Sequence, residues 1–429
     1  MRSPNPSPPF TQDKDPADWC AVIAVAFLAL VWHRLGIPTR IYFDELHYIP
    51  AARAILKLTS ANPEHPLLGK EMIAAAIWAL GDKPLFWRIP SALFGAFGLF
   101  AFARAMWFAS GRRFATIAAM LLVATNFAWF IQSRIAMLDM VMAGLAMAGL
   151  WMLSAAVRRP DQGRWRLALA GIFLGLALGA KWSIAPVLLL PGLTFLGLKL
   201  RHHGRRFLTA RAGGPVAGIS LIEAGLWLGL LPLMVYWLTY WPAFFYTKAA
   251  IDPLDPIGHH QYMLQLQDSV KRLHPYRSVW YQWILNWRAI WYLYEVVDGA
   301  QRGIVLIGNP FTMLAGLPAL LWALWAGLIR RRYDALACAV LYVTTLGMWA
   351  ISGKPIQFYY HYLLPGTFLM ACLALALDDM WARGRRWLPL GVLAIAAGMF
   401  LYFYPIISAA KLHHGKQSFA EWMWLKSWR

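Results

Sequence analysis

Apolar runs near or above the ~20 residues that a helix needs to cross a bilayer recur from Cys20 to Ile407. No other feature restricts the fold of this chain so severely. A backbone in hydrocarbon must satisfy its own N–H and C=O groups, so such runs fold as helices packed on one another. Charged residues make up only 14% of the 429, against about 25% in soluble domains. The expected class is an all-α polytopic membrane protein. The formal net charge is +20, from 40 Lys and Arg against 20 Asp and Glu. It is assigned to the basic loops that set membrane orientation, and no nucleic-acid partner is expected. Cys20, Cys338 and Cys372 lie inside apolar runs without metal-ligand spacing, so no disulfide framework is expected.

Basic clusters order the spans. They occur at Arg112-Arg113, Arg158 to Arg166, Lys199 to Arg211, Arg330 to Arg332 and Arg383 to Arg386. All are cytoplasmic if an even number of spans separates neighbours. The runs 114–131 and 137–157, 167–181 and 184–199, 216–240 and 308–329, and 334–352 and 360–378 meet that condition. A first run from Cys20 to Leu35, a second span entered at Arg88 and a last run at 387–407 bring the count to about eleven. The segment 67–80, LLGKEMIAAAIWAL, is short and carries Lys70 and Glu71; it is expected to lie as an interfacial helix on the outer face. Residues 1–18 read as a disordered cytoplasmic tail, 19–408 as the transmembrane domain and 409–429 as a C-terminal tail on the periplasmic side. Two outer loops are large, 38–87 and 241–306.

The outer ends collect charge of both signs. IYFDELHYIPAAR, 41–53, places Asp44 beside Glu45 just after the first span. His65, Lys70 and Arg88 share that loop, Arg134 and Asp139 the next turn, Lys181 and Trp182 a third, and Lys354, Gln357 and His361 a fourth. Ionisable groups at span ends are functional candidates, because placing them near lipid is costly. A carboxylate there can take a proton from a hydroxyl as general base, and cations can hold a phosphate and the charge it gains on leaving. Arg88, Arg134 and Lys354 are the cations expected on such a phosphate. Asp44 and Glu45 also stand where a helix begins, and acids favour helix N-termini; base and cap are both open, one carboxylate for each role. The stretch 274–295 interleaves His274, Tyr276, Arg288 and Glu295 with Trp280, Trp283, Trp287 and Trp291. Such a stretch is either an interfacial belt or a platform for a sugar or acceptor. Glu64 with His65 is the one candidate pair for a divalent metal, and the residues point to no other cofactor.

Read together, these motifs resemble the protein O-mannosyltransferases, particularly bacterial members, within the GT-C class of polyprenyl-phosphate-sugar-dependent glycosyltransferases. The carriers are FDELHY, EHPLLGK at 64–70, RIPSALFGAFG from Arg88, SRIAMLD at 133–139, HPYRSVWYQW followed by RAIWYLYE, GNP at 308–310 and FYYHYLLP at 358–365. The resemblance implies a GT-C fold and transfer of a sugar, usually mannose, from a polyprenyl-phosphate carrier to Ser or Thr of a translocated protein. It also implies inversion at the anomeric carbon and an active site on the outer face of a bacterial inner membrane. Asp44 takes the catalytic position, Glu45 that of its partner, and Arg88 matches an arginine important in the family. The sequence departs at Leu67, Ile284 and Ala289, where prolines are usual, and at Lys354 and Gln357, near a common arginine. Two other readings stand beside it. One is an aminoarabinose-transferase-like enzyme acting on a lipid or glycan. The other is a transporter of lipid-linked sugars, against which the absence of inverted repeats and mid-membrane charges argues.

Overall fold

The computed structural model describes residues 13–269, 275–354 and 356–429. Among them, nine helices are long and apolar enough to cross a membrane, and two shorter apolar helices, Ala17–Trp32 and Arg113–Ala124, bring the number to the eleven expected. In chain order the helices begin with α1 (Ala17–Trp32), α2 (Glu45–Ile55), α3 (Leu68–Leu80), α4 (Pro84–Ser110), α5 (Arg113–Ala124), α6 (Phe127–Gln132), α7 (Leu138–Arg158), α8 (Gly163–Ala180) and α9 (Ala185–His203). There follow α10 (Leu221–Gly225), α11 (Leu231–Leu238), α12 (Pro256–Asp268) and α13 (Trp280–Ile284). After a hairpin come α14 (Pro310–Leu328), α15 (Tyr333–Ile351), α16 (Leu363–Ala382) and α17 (Trp387–Ile407). Helix α16 is buried over nearly its whole length and packs on α5, α14, α15 and α17.

Small residues set how closely the helices approach. Gly171, Gly175 and Gly179 repeat every four residues on α8. A Cβ at Gly171 would collide with the Trp227 carbonyl, and one at Gly175 would lie 2.5 Å from the Pro232 carbonyl. The stripe therefore lets the α10–α11 span, continuous through one π-helical turn at Leu226–Leu230, lie directly on α8. Helices α4 and α7 meet the same way: a Cβ at Gly98 would stand 2.7 Å from the Gly144 Cα. Between helices in lipid this close packing replaces the hydrophobic drive.

The run 114–131 is not one helix. Asn126 accepts hydrogen bonds from the backbone N–H of Ala128 and Trp129, at 2.9 and 3.4 Å, and so starts α6 anew after α5 ends at Ala124. This is the ordinary preference of Asn for the N-cap. At the basic end of the bundle, ion pairs tie two loops to the end of α16, Arg112 to Asp378 at 2.9 Å and Arg330 to Asp379 at 3.5 Å, and Arg383 pairs with Asp379 one turn earlier at 2.7 Å. The expected tail is corrected here for residues 13–18. Asp15 accepts from Arg104 at 2.5 and 2.8 Å, and α1 already begins at Ala17.

The loop 241–306 holds an element that apolar periodicity did not suggest. Strands β1 (Ile290–Val297) and β2 (Ala300–Leu306) form an antiparallel hairpin. Its turn, Asp298-Gly299, has positive φ at both residues, 51° and 71°, the backbone of a tight hairpin turn that Asp-Gly favours. The C-terminal stretch is no loose tail either. Leu412 N–H donates to the Gln301 carbonyl, Trp291 Nε1 to the Trp428 carbonyl and Trp428 Nε1 to the Asn286 carbonyl, at 2.9, 2.9 and 2.7 Å. It lies on the same end of the bundle as the hairpin.

Candidate active site

Adjacent carboxylates here meet opposite surroundings. Glu45 is fully buried and accepts four hydrogen bonds. Two come from Arg88, at 2.7 and 3.0 Å, and two from the backbone N–H of Tyr42 and Ala136, at 3.3 and 3.1 Å. Arg88, in the second turn of α4, is equally buried. Its remaining N–H groups go to the carbonyls of Leu35, Pro38 and Arg40 at 3.0, 2.9 and 3.2 Å. All five guanidinium donors are engaged by the protein. Arg134 donates to the carbonyls of Val31, His33 and Arg34, at 2.5, 2.8 and 3.2 Å, closing the C-terminus of α1, where carbonyls otherwise lack partners. Both arginines were expected on a phosphate; the geometry instead ties each into the protein.

Asp44 stands at the N-cap of α2 yet makes no side-chain cap bond. Of the two roles left open by the sequence, capping is not the one its carboxylate performs. Burial raises that carboxyl to about 6, against the pull of Lys181, His47 and Lys354, and Asp139 pushes the same way as burial. Facing it is an ion pair: Lys181 Nζ lies 2.8 Å from both oxygens of Asp139. Asp139 is in the first turn of α7 and Lys181 directly follows α8, so each charge sits at the helix end that favours it. Lys181 also lies 4.8 Å over the Tyr360 ring. Sequence reasoning noticed Lys181 at a span end but did not assign it to the site; its partner on another helix is what reveals it.

Two further groups complete the cluster. Burial is the main cause lowering the Lys354 ammonium; Lys181 adds to it, while Asp139 and Asp44 oppose it. His361 accepts the Phe358 backbone N–H at Nδ1, at 3.0 Å, which fixes the proton on Nε2. Its ring stacks on Trp349 at 3.7 Å. Asp139, Ser183, Thr345, Trp349, Tyr360 and His361 line a small recess. A separate apolar groove, lined by residues such as Phe102, Leu150, Val187, Phe195, Leu341 and Phe368, runs between α4, α7, α9, α15 and α16, reaches Val157, Val216 and Asp334 near their basic ends, and holds about 280 Å³.

The other expected residues fall into supporting positions. Lys70 is fully buried and donates to the carbonyls of Asn62 and His65 at 2.6 and 2.8 Å; burial brings its ammonium down to about 7. It shapes the loop that presents His65, whose imidazole is held neutral by burial and by the cations Lys181, Lys70 and Lys354. Glu64 accepts from Asn62 Nδ2 at 2.6 Å. Among the described residues no three His, Cys, Asp or Glu side chains come together as metal ligands, so Glu64 and His65 gain no third partner there. Trp283 is wholly buried, donates to Ser278 Oγ at 2.8 Å and packs beside Trp349 and His361; it is core, not an open platform. Arg288 donates to the Pro275 carbonyl at 2.7 Å. Tyr276 and Trp280 are half-buried, and His274 lies outside the described residues.

Comparison with known proteins bears on the fold and on the family the chain resembles. Residues 85–247 match the family model of dolichyl-phosphate-mannose-protein mannosyltransferase, a segment that includes Arg88, Arg134, Asp139 and Lys181. A polyprenol-phosphate-mannose–protein mannosyltransferase of Corynebacterium glutamicum is 28% identical over 90% of this chain and 88% of its own length. One of Mycolicibacterium smegmatis is 27% identical over 99% and 95%. The structure of the S. cerevisiae protein O-mannosyltransferase Pmt1-Pmt2 complex bound to the sugar donor superposes with a TM-score of 0.80 at 13% identity, covering 97% of this chain and 93% of that one. ArnT from Cupriavidus metallidurans bound to undecaprenyl phosphate matches at 0.57 and 15%, covering 95% and 68%. Along nearly its full length the chain is therefore similar to polyprenol-phosphate-mannose–protein mannosyltransferases, and it shares the fold of the Pmt1-Pmt2 complex.

Proposed function

We propose that this protein is an inverting glycosyltransferase that moves a sugar, mannose by its relatives' names, from a polyprenyl-phosphate carrier to a Ser or Thr hydroxyl of a translocated protein. The reaction takes place at the periplasmic face of a bacterial inner membrane. The observation that carries the reading is Asp44: a carboxylate without a structural bond, set against the Asp139–Lys181 pair and Lys354. The acceptor oxygen attacks the anomeric carbon while Asp44 takes its proton. The new C–O bond forms as the bond from that carbon to the phosphate oxygen breaks, and the electron pair leaves with the phosphate. At neutral pH a carboxyl near 6 is mostly ionised, yet more basic than an ordinary aspartate, which suits a general base.

On this reading Lys354 and the Nε2–H of His361 meet the departing phosphate, with Lys181 beside them; Arg88 and Arg134 hold the frame instead. No step needs a metal held by these residues. The test is mass spectrometry of periplasmic proteins and of lipids from cells with and without the gene. Hexose lost from Ser or Thr peptides supports the reading; a sugar lost from a lipid alone replaces it with the lipid-modifying alternative.

A further inference from the structure

The turn that leads into Asp44 and Glu45 is held in an unusual way. Phe43 has φ of +49°, the left-handed region that an L side chain rarely adopts. Around it, Tyr42 and Glu45 are fixed by the Arg88 network. Tyr42 N–H donates to Glu45, its hydroxyl to the Arg134 carbonyl at 3.3 Å, and the Arg88 guanidinium lies 4.9 Å over its ring. The Asp44 carboxyl instead feels the charges of Lys181, His47, Asp139 and Lys354. The left-handed residue immediately precedes Asp44 and so sets the direction in which the chain enters α2, where helical geometry then turns the two neighbouring carboxylates apart.

Its side chain is gripped from another part of the chain. The Phe43 ring stacks on Tyr292 of β1, centroids 3.9 Å apart and planes at 15°, and meets Tyr360 edge-on at 6.1 Å. Tyr292 is buried, and its hydroxyl donates to Gln132 Oε1 of α6 at 3.4 Å. The hairpin is tied to the same loop at its turn. Thr39 N–H donates to Asp298 at 3.0 Å and Thr39 Oγ1 to the same carboxylate, while Arg40 pairs with Glu295 at 3.0 Å.

We propose that the β1–β2 hairpin is a positioning device for the proton acceptor: Tyr292 clamps the Phe43 ring, holds the left-handed turn and so aims Asp44 into the site. Phe43 and Tyr292 touch neither donor nor acceptor in this scheme; they act through Asp44. The proposal rests on the transferase reading above and deepens it.

The test compares Tyr292→Phe, which keeps the stack and loses the hydroxyl, with Tyr292→Leu and Phe43→Leu, which lose the stack. Each full-length protein is assayed in nanodiscs with polyprenyl-phosphate mannose and a Ser/Thr peptide, and donor binding and thermal unfolding are followed alongside. The Asp44 carboxyl is titrated by infrared difference against Asp44→Asn. Tyr292→Phe is expected to stay near wild type. The two leucine variants lose roughly 10- to 100-fold in kcat, as expected for a small misplacement of a reacting group. They keep their donor KM, and the Asp44 titration moves from near 6 toward the ordinary carboxylate range. Equal damage in Tyr292→Phe would overturn the clamp in favour of the hydroxyl. Unchanged kcat and an unmoved titration in both leucine variants would overturn it outright. A wild-type protein that transfers no sugar would contradict the transferase reading instead, and the infrared titration would still decide the clamp.

Discussion

Glu45 and Asp44 are neighbours in sequence and opposites in structure. Around Glu45 every polar atom is matched: four donors meet the carboxylate, and the five N–H groups of Arg88 all have acceptors. Around Asp44 the balance is left open, with a carboxylate that makes no cap bond and a lysine, Lys354, whose ammonium is depressed by burial. A closed network stabilises a fold; an open one leaves charge available to a substrate. The two regions should therefore fail differently when altered.

The largest separation is expected from Asp44→Asn, which keeps size and hydrogen bonding but cannot take a proton. The single-turnover rate should fall about 10²–10⁴-fold, the usual contribution of a general base, with unfolding temperature and donor binding retained. Arg88→Leu should do the reverse. Leaving the Glu45 carboxylate buried without its cation costs about 3–5 kcal/mol of stability, read as a lower unfolding temperature and poor yield in detergent. Retained stability in that variant would break the comparison. Lys354→Ala should leave unfolding unchanged and weaken apparent donor affinity by about 10- to 100-fold, the loss of one charge-assisted bond of roughly 1.5–3 kcal/mol. An unchanged donor KM would move the phosphate elsewhere. The smallest effect belongs to a site remote from both regions. Gly175→Ala would press a methyl against the Pro232 carbonyl and cost about 1–3 kcal/mol by overpacking, with the rate per folded molecule unaltered.

The spans were legible because ~20-residue apolar runs and basic clusters are local and repetitive signals. The break inside 114–131 was also written in the chain, as Asn126, but its capping bonds are a property of single residues that hydropathy averages away. The hairpin was announced by Asp298-Gly299 and hidden by the tryptophans around it, which read equally well as an interfacial belt. In the site, FDELHY gave Asp44 and Glu45 together and offered no means of telling their surroundings apart. That distinction depends on partners far along the sequence, Arg88 for one and the Asp139–Lys181 pair for the other. Lys181 became a site residue only through Asp139, because an ion pair between two helices has no local signature. Arg88 and Arg134 were visible as cations at span ends; that backbone carbonyls would occupy them was not.

The most direct test of Asp44 as the open carboxylate is the pH dependence of the single-turnover rate with saturating donor. Burial raises the Asp44 carboxyl from the ordinary 3.8 to about 6, so the ionised base is lost as pH falls through 6, and stability contributed by this group declines as pH rises between those values. The account predicts a rate that is half-maximal near pH 6, falls about tenfold per unit below it, and loses that limb in Asp44→Asn. A limb near pH 4, or one that persists in Asp44→Asn, would contradict it.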